Sequence, residues 1–221
     1  MLTQQLITEN IPPIKLQDTG TRVLRWMDEF KVNHLPIVEN GDFIGLVSDA
    51  EILDLSSPED SIGTQEIEPE KIFVKENQHI FDAIKLMSEA NLSVIPVLDE
   101  EGKYLGSIAM SNLIEKMAWI TAANEPGSIL ILEVDPANYS LSEIAQIVEG
   151  NNAKVLSLFV HREPETGMLD ITVKVNKTDI GGVVQTFQRY KYFIKANFQV
   201  DQKYFDDLKS RYDAFMNFLK M

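Results

Sequence analysis

The sequence predicts an α+β protein made of a tandem repeat followed by a smaller layered unit. Three observations predict it. Residues 12–55 resemble residues 72–116, with Pro36 answering Pro96 at an offset of 60 and Gly45 answering Gly106 at 61. From Ser128 onward the hydrophobic period follows a different order, β-α-β-β-α-β. Charge also changes between the parts: residues 1–120 hold 9 Lys+Arg and 21 Asp+Glu (net −12), and 121–221 hold 11 and 13 (net −2). The polar stretch Thr121–Ser128, with its Pro-Gly pair, marks the expected boundary.

Each repeat begins with a short extended segment, Pro13–Leu16 or Ile72–Lys75. An amphipathic helix follows, with Val23, Leu24, Met27 and Phe30 on one face in the first copy and Phe81, Ile84, Met87 and Ala90 in the second. Two strands come next. They are joined in the first copy by Asn40-Gly41, a strong hairpin signal, and in the second by a turn at Glu101-Gly102. A short helix closes each unit, at Asp49–Leu55 and Ser111–Met117. A unit of about 45 residues is marginal alone, so the copies are expected to pack together.

The copies read HLPIVENGDFIGLVSDAEIL from His34 and SVIPVLDEEGKYLGSIAMSNLI from Ser93. Hydrophobic-Pro-hydrophobic, an acidic hairpin, then hydrophobic-Gly-hydrophobic-hydrophobic leading to a helix, given twice, resembles a CBS-domain pair (Bateman module) over residues 1–120. The resemblance implies clefts between the repeats for an adenosyl ligand such as AMP, ATP or S-adenosylmethionine, and no resident cofactor. It places Lys15, His34, Leu35, Pro36, Ser48, Glu51, Pro96 and Asn112 at those clefts. In the family a Thr/Ser-x-x-Asp motif contacts phosphate and ribose. Here it reads Ser48-Asp49-Ala50-Glu51 in copy one, and Ala109 with Asn112 in copy two. The second site has therefore lost its hydroxyl and its charge.

Two readings of Ser48 and Glu51 stand side by side. A carboxylate can accept both ribose hydroxyls, and Ser-x-x-Glu is also a capping box that satisfies helix N–H groups. The acidic field opposes phosphate-rich ligands, and Ala50 stands where many relatives carry a basic residue. Lys15, Arg22 and His34 are the local sources of positive charge.

In the second part, Ile129–Val134 reads as a buried strand and Ser140-x-x-Glu143 as another capping box. Leu141, Ile144, Ile147 and Val148 form a helix face. Val155–Val160 and Leu169–Val175 read as paired strands, Ile180–Tyr190 as a helix and Tyr192–Val200 as a last strand. This ferredoxin-like plait, at 127–200 beside a CBS pair, resembles an ACT domain. The resemblance marks Asp135 and Asn138 as effector contacts, in a turn without the family's glycine; ordinary turn chemistry is the other reading of both. Residues 201–221 read as an amphipathic helix with Tyr204, Phe205, Leu208, Tyr212, Phe215, Met216 and Leu219 on one stripe. The whole arrangement is similar to the acetoin-utilisation protein B family.

With no cysteine there is no disulfide, thiolate metal site or Cys nucleophile. His34, His79 and His161 lack metal-ligand spacing, and no phosphate-binding or nucleophile-elbow motif is present. A net charge of −14 opposes nucleic acid and anionic membranes, and no apolar run approaches the roughly 18 residues of a membrane span. The expectation is a cytoplasmic, non-catalytic, ligand-sensing regulator of another protein. The alternative is an assembly module with vestigial clefts. A homodimer is expected, through Ile129–Val134 and Val155–Val160 as edge or interface strands and through the short-helix faces near Ile52 and Ile114.

Overall fold

The computed structural model describes residues 1–8 and 10–199; the 201–221 stripe lies outside the described residues. The chain forms two compact units, Met1–Met117 and Ala118–Met221.

In the first unit, α1 (Gly20–Phe30), β1 (His34–Glu39), β2 (Asp42–Ser48) and α2 (Asp49–Leu53) make one repeat. The second consists of β3 (Val74–Lys75), α3 (Ile80–Glu89), β4 (Val94–Leu98), β5 (Tyr104–Ala109) and α4 (Met110–Ile120). Thr19 caps α1 by accepting the Arg22 N–H at 3.3 Å, and Val23 and Met27 bury its apolar face. Asn40 and Gly41 both take positive φ, 51° and 87°, the geometry a two-residue hairpin turn needs to match strand twist.

The repeats complete each other. Ile14 pairs in parallel with Ile37, as Val74 and Lys75 pair with Val97 and Leu98. The stretches leading into the repeats are exchanged: Thr8 bridges Ser107 of β5, and Glu70 bridges Leu46 of β2 with backbone bonds of 2.8 and 2.9 Å. These crossings explain the repeated glycine. A Cβ at Gly45 would overlap Pro69, and one at Gly106 would overlap Ile7. The resulting core joins Ile14, Val23, Leu35 and Ile52 to Val94 and Ala109 of the other copy.

The second unit contains β6 (Ser128–Val134), a short 3-10 turn at Pro136–Asn138, α5 (Leu141–Gly150), β7 (Val155–Arg162), β8 (Leu169–Val175), α6 (Gly181–Arg189) and β9 (Phe193–Phe198). The sheet runs β7-β8-β6-β9 with every pair antiparallel, which is the plait the sequence predicts. Leu130, Leu132, Ile171, Val173, Val148 and Phe187 fill the space between sheet and helices.

Five expectations need correction. Phe81, expected on the apolar face of α3, is 56% exposed, and Ile80, Ala83 and Met87 bury that face instead. β6 lies between β8 and β9, so of the two candidate strands Ile129–Val134 is central and Val155–Val160 is at an edge, β9 forming the other edge. Ile52 is fully buried, and the exposed neighbour is Leu53, at 68%. Leu141 opens α5 but is 53% exposed, while Ile144, Ile147 and Val148 bury the face. The second capping box is half made: Ser140 accepts the Glu143 N–H at 3.3 Å, and the Glu143 carboxylate is drawn instead to the Tyr192 hydroxyl.

Candidate functional site

The junction of β2 and α2 carries Ser48 and Glu51. Ser48 Oγ accepts the Glu51 N–H at 3.2 Å, while Glu51 Oε2 accepts the Ser48 N–H and hydroxyl, both at 2.7 Å. The capping box is thus formed. It uses Oε2, and Oε1 takes part in none of these bonds.

His34 faces Ser48 directly across the hairpin. Its Nδ1 lies 3.1 Å from Ser93 Oγ and accepts the Ser93 N–H at 3.3 Å, so the ring spans from one repeat to the other. Ser93 Oγ also accepts the Asn33 N–H at 2.8 Å, and Asn33 donates its amide to Asp49 at 2.7 Å. Burial holds the imidazole pKa below its usual value, against the pull of Asp49, Glu70 and Glu51. Nδ1 already accepts from Ser93, so protonation there would break that contact.

The sign of the pH dependence follows. The unfolded ring takes up its proton near pH 6.5, before the folded ring does, so His34 favours folding above that pH. That contribution is lost as pH falls through the folded value. Melting temperature is expected to drop between pH 7 and pH 5, with a shallower slope in His34→Gln. An equal slope in the variant would remove His34 as the sensor.

Other sequence-predicted residues are dispersed. Leu35 is wholly buried in the core, and Pro36 and Pro96 are buried in mid-strand. Lys15 follows Ile14 toward the Glu39 end of β1, where Leu16 N–H reaches Glu39 at 2.8 Å. That is roughly 10–13 Å along the strand from Ser48, at about 3.3 Å per residue. Arg22 is engaged by Asp18 at 3.2 Å and by the Trp26 ring at 4.6 Å. In copy two, Ala109 is core, and half-buried Asn112 meets Ser111 at 3.5 Å.

Glu70 and Ser93 escaped the sequence reading. Glu70 comes from the connecting segment, which has no periodicity to mark it, whereas Ser93 stands 60 residues from Asn33 in the repeat alignment. The structure therefore joins His34, Ser48 and Glu51 with Asp49 and Glu70, an acidic surround without Lys15. A concavity of about 410 Å³ lies alongside, lined by Asn33, Asp49, Asn91, Leu92, Ser93 and Met110.

In the second unit Asp135 and Asn138 do come together. They line a concavity of about 280 Å³ with Glu133, Glu143, Tyr190, Lys191, Tyr192 and Phe193. Tyr192 donates its hydroxyl to Glu143 at 2.6 Å. Burial first, then this contact, raises the phenol pKa.

Residues 4–57 and 65–118 each match the CBS domain family. The first unit is a tandem CBS-domain pair. A CBS domain-containing protein of Dictyostelium discoideum is 25% identical over 143 residues, 58% of this chain and 99% of that protein. An uncharacterised protein of Methanocaldococcus jannaschii is 22% identical over 165 residues, covering 75% of this chain and 62% of its own length. The inosine-5'-monophosphate dehydrogenase of the same organism aligns over only 29% of its length, at 17% identity. Among solved structures, a CBS domain pair/ACT domain protein from Thermotoga maritima is 25% identical with a TM-score of 0.48, covering 54% of this chain and 98% of that one. The CBS-pair protein CBSX2, in complex with AMP, is 23% identical with a TM-score of 0.47, covering 54% and 97%. Among the described residues no helix is long and apolar enough to cross a membrane.

Proposed function

We propose that the protein is a non-catalytic, ligand-sensing regulator whose CBS pair takes an adenosyl-type ligand at Ser48 and Glu51. The second, ACT-like unit binds an effector or holds a dimer together. One observation carries the reading: Ser48, Glu51 and His34 converge at one strand end, and His34 links that point to the other repeat through Ser93. A ligand there would act on the contact between repeats. The resemblance to the acetoin-utilisation protein B family supports a regulatory role on an unidentified partner protein in the cytoplasm. The carboxylates around His34 disfavour phosphate, so the expected order of affinity is S-adenosylmethionine, then AMP, then ATP.

Calorimetric titration of those three ligands tests this. Glu51→Gln is expected to weaken the best of them about tenfold, since a hydrogen bond to a charged group contributes roughly 1.5–3 kcal/mol. Unchanged affinity would overturn the assignment. Melting temperature is followed alongside, because Glu51 also caps α2.

The rival reading, an assembly module with a vestigial cleft, is favoured by Leu35 and Ala109 lying in the core. Silence toward all three ligands would select it. Either reading includes a homodimer, through the β7 edge, where Phe159 and Val160 are each 43% exposed, and through Leu53 and Ile114, 68% and 62% exposed. Light scattering is expected to give twice 25.0 kDa; a mass of one chain would reject the dimer.

A further inference from the structure

The concavity after β6 combines three features that select a ligand class. Its walls carry aromatic rings: Tyr190 and Phe193 are 56% and 62% exposed, and Tyr192 lies between them in sequence. Exposed ring faces attract cations through their quadrupole. Its acceptors are the carboxylates Glu133, Asp135 and Glu143, against Lys191 as the single cation of the lining.

The third feature is a shortage of donors. Pro136 has no N–H; the Ala137 N–H is taken by Asp135 Oδ1 and the Asn138 N–H by Asp135 O, each at 2.8 Å. A ligand carboxylate would find few partners in this turn, whereas an ammonium group would find several. The site is also fixed in advance. Glu143 is held by Tyr192 at 2.6 Å, and the Tyr192 ring meets Phe187 edge-on with centroids 5.4 Å apart. A volume of about 280 Å³ falls just below the usual range for ligand pockets, which begins at about 300 Å³, and so suits a small ligand.

We infer that this concavity binds a small organic ammonium ion, with its charge between the Glu133 and Asp135 carboxylates and its apolar part against Tyr190 and Phe193. The inference rests on the reading of the second unit as an effector domain, and it names the effector's class as a cation without a carboxylate.

Three probes share one ring and differ in charge: phenethylamine, phenylalanine and 3-phenylpropionate. Titrated calorimetrically into the full chain at neutral pH, phenethylamine is expected to bind at one per chain. Phenylalanine should bind at least tenfold more weakly and 3-phenylpropionate not at all. Asp135→Asn keeps the turn's acceptor, and Phe193→Ala removes an exposed ring; each is expected to weaken phenethylamine at least tenfold with the melting temperature held. Phenylalanine binding as tightly as phenethylamine would overturn the cation assignment while leaving an effector site in place. Binding of none of the three would overturn both. Phenethylamine binding undiminished in both variants would overturn the location.

Discussion

Phe187→Ala is expected to remove about 3–5 kcal/mol from the stability of the second unit, the range for deleting a buried aromatic ring. Phe187 is wholly buried and belongs to the cluster that includes Leu130, Leu132, Ile171 and Val173. Sheet residues below and helix residues around it cannot collapse far into the gap, so a cavity term adds to the lost burial. Calorimetry should show a fall in that unit's melting temperature of about 12 °C or more, at roughly 4 °C per kcal/mol for a domain of about 100 residues. The loss would extend to the concavity after β6, because Phe187 supports the Tyr192 ring from the side. Phe187→Leu fills most of the space and should lose much less. A change below about 1 kcal/mol in the alanine variant would show that this side chain is not central to packing.

Gly45→Val is expected to destabilise the CBS pair by about 1–3 kcal/mol, the usual range for overpacking. Here the obstacle is a chain crossing. A Cβ at Gly45 would overlap the Pro69 ring and stand 3.0 Å from the Pro69 carbonyl. The connecting segment must lift from β2, which breaks both backbone bonds between Leu46 and Glu70. Glu70 then moves away from His34, removing one of the three carboxylates that favour the protonated ring. Adding Pro69→Gly gives the valine room, so the double variant should recover more than half of the loss, measured by urea unfolding. No recovery would mean that the Pro69 ring is not the main obstacle.

The duplicated pattern made the first unit legible before any coordinates. A proline in mid-strand, a turn glycine (Gly41 and Gly102) and a glycine before the closing helix (Gly45 and Gly106) recur 60 or 61 residues later. The turn answers a local requirement, whereas the last glycine answers the chain crossing above it. The plait was legible for a similar reason: period 2 and period 3.6 alternate in one fixed order, and short connections leave few topologies open. The capping box at Ser48 was equally local, and it formed. Local patterns were less reliable where a distant group competed for the same atom. Glu143 has the right spacing to return to Ser140, yet the Tyr192 hydroxyl, 49 residues away, takes its carboxylate.

What the sequence determined by itself was therefore whatever depends on near neighbours along the chain: the helices, hairpins, caps, the two-part organisation and the acidity of the first half. Tertiary structure decided which side chains meet. It put Lys15 at the far end of β1 and Glu70 beside His34, set Ser93 against the imidazole, and made β6 central and β7 an edge. The physical reason is that strand order and chain crossings are fixed by how apolar faces from separate segments are covered together. A single segment's pattern gives the face to be buried, and the partner that buries it is supplied only by the fold.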